Sequence, residues 1–123
     1  MTDYYSTMTA NEWVACSRLD FDILNLALQN ERQRIEEEGD VEICLQVEFS
    51  DEAGVFIFSQ YFGEDDLTEN VILAIGKLLS SAGRDFLEFS YSQSASRIIP
   101  RSHGGGSFRI YCDGRIDWPK LVW

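Results

Sequence analysis

Positive charge is scarce in this sequence, and scarcest where negative charge is densest. The 123 residues hold 10 Lys and Arg against 21 Asp and Glu, for a formal net charge of −11. Residues 1–69 carry 17 acids and 3 bases, a balance of −14; residues 70–123 carry 4 acids and 7 bases, a balance of +3. Such a surface repels bare nucleic acid and anionic membrane over most of its area, so neither is an expected partner. Long apolar runs are also missing: none approaches the roughly 18 residues that span a bilayer. The start, Met1-Thr2-Asp3-Tyr4-Tyr5, has neither the basic residues nor the apolar core of a secretion signal, and a cytoplasmic protein is expected.

The residues that most often carry chemistry are equally thin. Cys16, Cys44 and Cys112 are widely spaced and lack the C-x₂₋₄-C pairing of zinc sites. They read as reduced core thiols, with no metal and no cofactor expected. His103 is the one histidine. As a general base it would need a nucleophile and an orienting acid. Ser102 beside it lacks the G-x-S-x-G context of a nucleophile elbow, so no catalytic residue is assigned.

What is present is a sheet core with an acidic skin. Between Glu31 and Glu69 lie 13 of the acids, against Arg32 and Arg34 alone. Val41 to Phe49 alternates strictly, with Val41, Ile43, Leu45, Val47 and Phe49 on one side and Glu42, Cys44, Gln46 and Glu48 on the other, which predicts a half-buried strand. Ser50-Asp51-Glu52-Ala53-Gly54 is turn chemistry, returning as an antiparallel strand over Val55 to Phe62. That second strand is apolar on both faces, which places it centrally or under a helix.

Thr9-Ala10-Asn11-Glu12 matches a capping box. A helix follows from it, with Cys16, Leu19, Ile23 and Leu26 as its apolar stripe, widened by Phe21, Leu24 and Leu28, and Gly39 as its stop. It runs unbroken over 10–38 or breaks near Ser17 to Asp20; residues 1–8 form a loose lead-in. Asp66 with Glu69 caps a second helix whose stripe is Val71, Ile75, Leu78 and Leu79, ended by Gly83, with Gly76 allowing close approach to the sheet. Phe86 to Tyr91 is a third strand that frays over Ser92 to Ser96, followed by an extended Ile98-Ile99-Pro100. Ser107–Cys112 and Arg115–Trp118 flank the Asp113-Gly114 hairpin signal. The order α(α)ββαβββ predicts a single α+β domain over 1–123, a mostly antiparallel four- to five-stranded sheet with helices packed on one face.

Function is expected at the surface. Glu36, Glu37 and Glu38 sit at a helix C-terminus, where the dipole disfavours anions, so local stability does not explain them. With Glu42, Glu48, Asp51 and Glu52 they form a candidate partner-binding set, joined by Trp118 and Trp123 of the apolar terminus. Carboxylates so spread can occupy a basic groove, as nucleic acid does. The expected function is a non-enzymatic inhibitor of a basic partner such as a nuclease or other nucleic-acid-binding effector, of the anti-CRISPR, anti-restriction or toxin-immunity type. A monomer or small homo-oligomer is expected. Two alternatives stand beside it. The glycine-rich segment Arg97–Arg115, with Arg97, Arg101, His103, Gly104, Gly105 and Arg109, could bind an anion or nucleotide or serve as the site of a small enzyme, although it lacks the helix start that usually supports such loops. The apolar C-terminus could instead dock a subunit into an assembly.

Overall fold

The computed structural model describes residues 4–38, 44–60, 67–95 and 105–117, and the side chains of 7–37, 44–60, 67–91 and 106–117. The elements run β1 (Tyr4–Ala10), α1 (Arg18–Glu38), β2 (Leu45–Ser50), β3 (Gly54–Ser59), α2 (Glu69–Ser81), β4 (Phe86–Ala95), β5 (Gly105–Tyr111) and β6 (Ile116–Asp117). The strands form one antiparallel sheet of six, in the order β2-β3-β1-β4-β5-β6. The α+β class holds, but the sheet has one strand more than the four or five expected, and the chain leads with it.

β1 replaces the expected lead-in and the expected start of the first helix. Its residues pair with β4 from Tyr4↔Ala95 to Ala10↔Phe89, and Met8 and Thr9 also pair with Ser59 and Phe58 of β3. Thr9 therefore lies in a strand and caps nothing. The helix start is Ser17, in the region of the expected break. Its hydroxyl accepts the Asp20 amide at 3.2 Å, and the Asp20 carboxylate accepts the Ser17 amide at 3.3 Å, a reciprocal capping box. β4 continues through Ala95 as an inner strand, where fraying was expected, because β1 covers its second edge.

Side chains alternate across the sheet. Leu45, Val55, Ile57, Met8, Ala10, Leu87, Phe89, Phe108 and Ile110 are buried on one face, in one cluster with Leu24 and Leu28 of α1 and Val71, Ile75, Leu78 and Leu79 of α2. Both helices thus lie on this face. The core β1-α1-β2-β3-α2-β4, with strand order 2-3-1-4, consists of two split β-α-β units, a ferredoxin-like arrangement extended by β5 and β6. That topology serves many activities and assigns none.

α1 is rotated from the expected stripe. Leu19, Ile23 and Leu26 are 67%, 54% and 58% exposed, while Leu24 and Leu28 are buried. Over 19–28 the helix is apolar on several sides, and the sheet takes the side carrying Phe21, which meets Phe49 at 5.3 Å. The α2 stripe is buried as expected, but its cap is Thr68, whose hydroxyl accepts the Val71 amide at 3.2 Å; Asp66 lies outside the described residues. Gly83 ends α2 at φ +70, with the Arg84 amide returning to the Leu79 carbonyl at 2.8 Å. A Cβ on Gly76 would meet the Tyr111 carbonyl oxygen at 3.1 Å, so its close approach is to the β5–β6 turn. The three cysteines form no disulfide with one another and are half-buried, where full burial was expected. Gly39, Ile98, Ile99 and Pro100 lie outside the described residues.

One irregularity shapes the open face. Thr9 pairs with Phe58, and the next pair is Val14 with Val55. Five steps on one chain match three on the other, so two extra residues bulge out around Asn11–Trp13. Val14 and Val55 exchange backbone bonds of 2.8 and 2.9 Å. Gly54, at φ +98, makes this possible, since a Cβ there would lie 1.9 Å from the Val14 carbonyl oxygen.

Candidate functional site

The described candidate acids lie around β2, one of the two edge strands among the described residues. Phe21 packs on Phe49 near the start of α1, and the Arg32 guanidinium reaches the Leu45 carbonyl farther along it. α1 therefore runs antiparallel to β2. Glu36 and Glu37, exposed in the last turns of α1, lie toward the Leu45 end; Asp51 and Glu52, exposed in the β2–β3 turn, lie at the other. Strand and helix rise put the two groups on the order of 20 Å apart. Glu48 lies between them, exposed on the open sheet face opposite Phe56. The structure thus keeps Glu36 and Glu37 at one end, Asp51 and Glu52 at the other, and Glu48 between them on the open face. The side chains of Glu38, Glu42, Trp118 and Trp123 lie outside the described residues.

Among the described residues, no ion pair engages Glu36, Glu37, Glu48, Asp51 or Glu52. The described arginines, by contrast, are all engaged. Arg18 pairs with Asp22, Arg34 with Glu31, Arg84 with Glu12, Arg109 with Glu88 and Arg115 with Asp113, while Arg32 holds a backbone carbonyl. The charge left without a counter-ion around β2 is therefore negative.

Glu31 leaves the acidic skin altogether. It is buried beside the first turn of α2, bonded by Arg34 and by the Thr68 hydroxyl at 2.9 Å. Burial pushes its carboxyl up, but the bonds from Arg34, Thr68 and Asn70 outweigh that and hold it below its ordinary value. An N-terminal helix dipole favours an anion there, which a charge count along the sequence cannot show.

The open face holds a feature that sequence reasoning missed. The bulge carries Trp13 over Phe56, with ring centroids 5.1 Å apart, and Phe56 stacks on Phe58 at 5.8 Å. Trp13 is 38% exposed. The two-faced apolarity of β3 was legible; its second face is lined by this tryptophan rather than by a helix. The only available signal was the Thr- and Tyr-rich start, which favours a strand.

Two members of the glycine-loop alternative lie among the described residues. Gly105 lies in β5 opposite Ser92, and Arg109 lies on the open face, 3.0 Å from Glu88 and 4.6 Å from the Phe86 ring centroid. Its bond to Glu88 raises its pKa further. Arg97, Arg101, His103 and Gly104 lie outside the described residues. Two depressions lined by described residues hold about 30 Å³, between Ile23, Leu24, Ala74 and Leu78, and about 180 Å³, between Ala27, Asn30, Glu31, Arg34 and Asn70. Both fall below the roughly 300 Å³ of small-molecule sites. Among the described residues, no group of three His, Cys, Asp or Glu is placed to hold a metal ion, and no helix is long and apolar enough to cross a membrane. No protein family, curated protein or solved structure matches the chain.

Proposed function

We propose that this chain is a small acidic binding protein that inhibits a basic, nucleic-acid-handling partner by occluding its binding groove, as anti-CRISPR, anti-restriction and toxin-immunity proteins do. The observation that carries the reading is the charge pairing. Glu36, Glu37, Glu48, Asp51 and Glu52 have no cationic partner among the described residues, while every described arginine is engaged. Exposed unpaired carboxylates speed association with a cationic groove and make binding salt-sensitive. A nuclease or comparable effector in the cytoplasm is the partner this chemistry fits. The test is capture by the immobilised chain at rising salt, followed by competition with nucleic acid. The captured protein should be basic, released by salt and displaced by nucleic acid. Reversal of Glu36, Glu37, Asp51 and Glu52 to lysine should abolish capture while the protein stays folded. Capture that ignores both salt and those substitutions rejects the reading.

A second reading, a subunit of an assembly, is favoured by one observation. Leu19, Ile23 and Leu26 form an exposed apolar ridge along α1. Light scattering at rising concentration tests it: a self-associating ridge gives a mass that grows, and Leu19→Gln with Leu26→Gln returns it to that of one chain.

A further inference from the structure

Among the described residues the same local device recurs three times: an arginine laid over an aromatic ring with a carboxylate as counter-ion. Arg18 lies 5.6 Å from the Phe21 centroid and 5.4 Å from that of Phe49, and pairs with Asp22 at 3.3 Å. Arg109 lies 4.6 Å from Phe86 and pairs with Glu88 at 3.0 Å. Arg115 lies 4.7 Å from Tyr111 and pairs with Asp113 at 2.8 Å. The ring quadrupole and the carboxylate attract the same cation, so each strengthens the hold of the other.

A fourth set of rings and acid has no cation among the described residues. Trp13, Phe56 and Phe58 stack on the open sheet face, and Glu48 stands directly across the ladder from Phe56. Asp51 and Glu52 follow in the β2–β3 turn. No described arginine or lysine lies over these rings or pairs with these acids. Both helices are on the other face, so no described helix covers the patch.

We infer that the Trp13–Phe56–Phe58 surface, with Glu48 as counter-ion, is the seat for an arginine side chain contributed by a basic protein partner. Charge complementarity selects this occupant. Stacked nucleobases also fit aromatic rows on open sheets, but they bring phosphates, which Glu48, Asp51 and Glu52 repel. Tryptophan is the best aromatic partner for a cation, and arginine the commonest cation over it. The anchor rests on the basic-partner reading above and adds to it a fixed docking point.

The test is titration of the full chain with a hexa-arginine peptide, following the Trp13 indole resonance by NMR. The peptide should shift that resonance saturably, and the hexa-citrulline peptide, of like shape without charge, should not. Glu48→Gln, followed at the Trp13 indole, and Trp13→Leu, followed by titration calorimetry, should each weaken hexa-arginine binding by about tenfold. Unchanged affinity in Glu48→Gln, an exposed position where the fold is safe, overturns the anchor yet leaves the acidic-surface reading standing. That reading falls separately if lysines at Glu36, Glu37, Asp51 and Glu52 leave hexa-arginine binding and its salt dependence intact. A short oligothymidylate that shifts the Trp13 indole in place of the peptide overturns the inference in favour of base stacking.

Discussion

The Glu31 carboxylate accepts a hydrogen bond from the Thr68 hydroxyl at 2.9 Å, while that hydroxyl accepts the Val71 amide at 3.2 Å. One acid on α1 thereby completes the first turn of α2. Because its folded pKa lies below the ordinary 4.5, Glu31 adds stability above that value. The contribution is lost as pH falls through the depressed folded value. Glu31→Gln should cost about 1–3 kcal/mol at neutral pH. The difference from the native chain should shrink in urea melts taken at successively lower pH. A constant difference down to acid would show that the charge is not what stabilises the contact.

Gly54 and Gly83 both have positive φ, yet they should respond differently to alanine. Gly83 has open space where a Cβ would go, so Gly83→Ala should cost only the left-handed backbone penalty of about 1–2 kcal/mol. Gly54→Ala adds a 1.9 Å clash with the Val14 carbonyl and should cost well beyond that, about 3 kcal/mol or more. Chemical denaturation of the two variants side by side measures the gap.

The rotation of α1 is testable with two leucines. Leu28 is buried at 1% exposure, so Leu28→Ala should cost about 2–5 kcal/mol. Leu26→Gln changes an exposed ridge and should stay within about 0.5 kcal/mol of the native stability. Equal losses at both positions would contradict the helix orientation.

Met8 should behave as a core residue. Met8→Ala should cost about 2–5 kcal/mol, and removal of residues 1–10 should eliminate the cooperative unfolding transition. A chain that lost only a loose lead-in would keep its transition and its dispersed amide spectrum.

The hairpins, the α2 stripe and the α+β class were legible because each is written in local periodicity and turn chemistry. Ser50 to Gly54 and Gly83 did what their residue types dictate. The Asp113-Gly114 hairpin forms too, but only Gly114 takes positive φ, and the Gly114 amide bonds the Tyr111 carbonyl at 3.0 Å; the turn therefore spans more than the two residues expected. β1 was illegible for a physical reason. Its inward positions with described side chains are two, Met8 and Ala10, both apolar but too few to show a period of two, and Thr9 to Glu12 imitates a helix start. The candidate acids were legible as charge. Glu31, counted in the acidic skin though not among the candidate acids, was misplaced there because burial beside a helix end depends on how α1 and α2 pack. Trp13 owes its position to a two-residue bulge that only the pairing of two distant strands defines.

Strand order carries a consequence for how the molecule is made. The β2–β3 hairpin and the β4-β5-β6 meander can each close from neighbouring sequence, but only β1 joins them. During synthesis this strand emerges before either neighbour exists, and its farthest partner, Ala95, follows Tyr4 only about 90 residues later. Long-range closures of this kind are the slow ones in folding. β1, which precedes both of its neighbours, is thus the clasp fastened last, and until it closes two half-sheets with open inner edges wait for it.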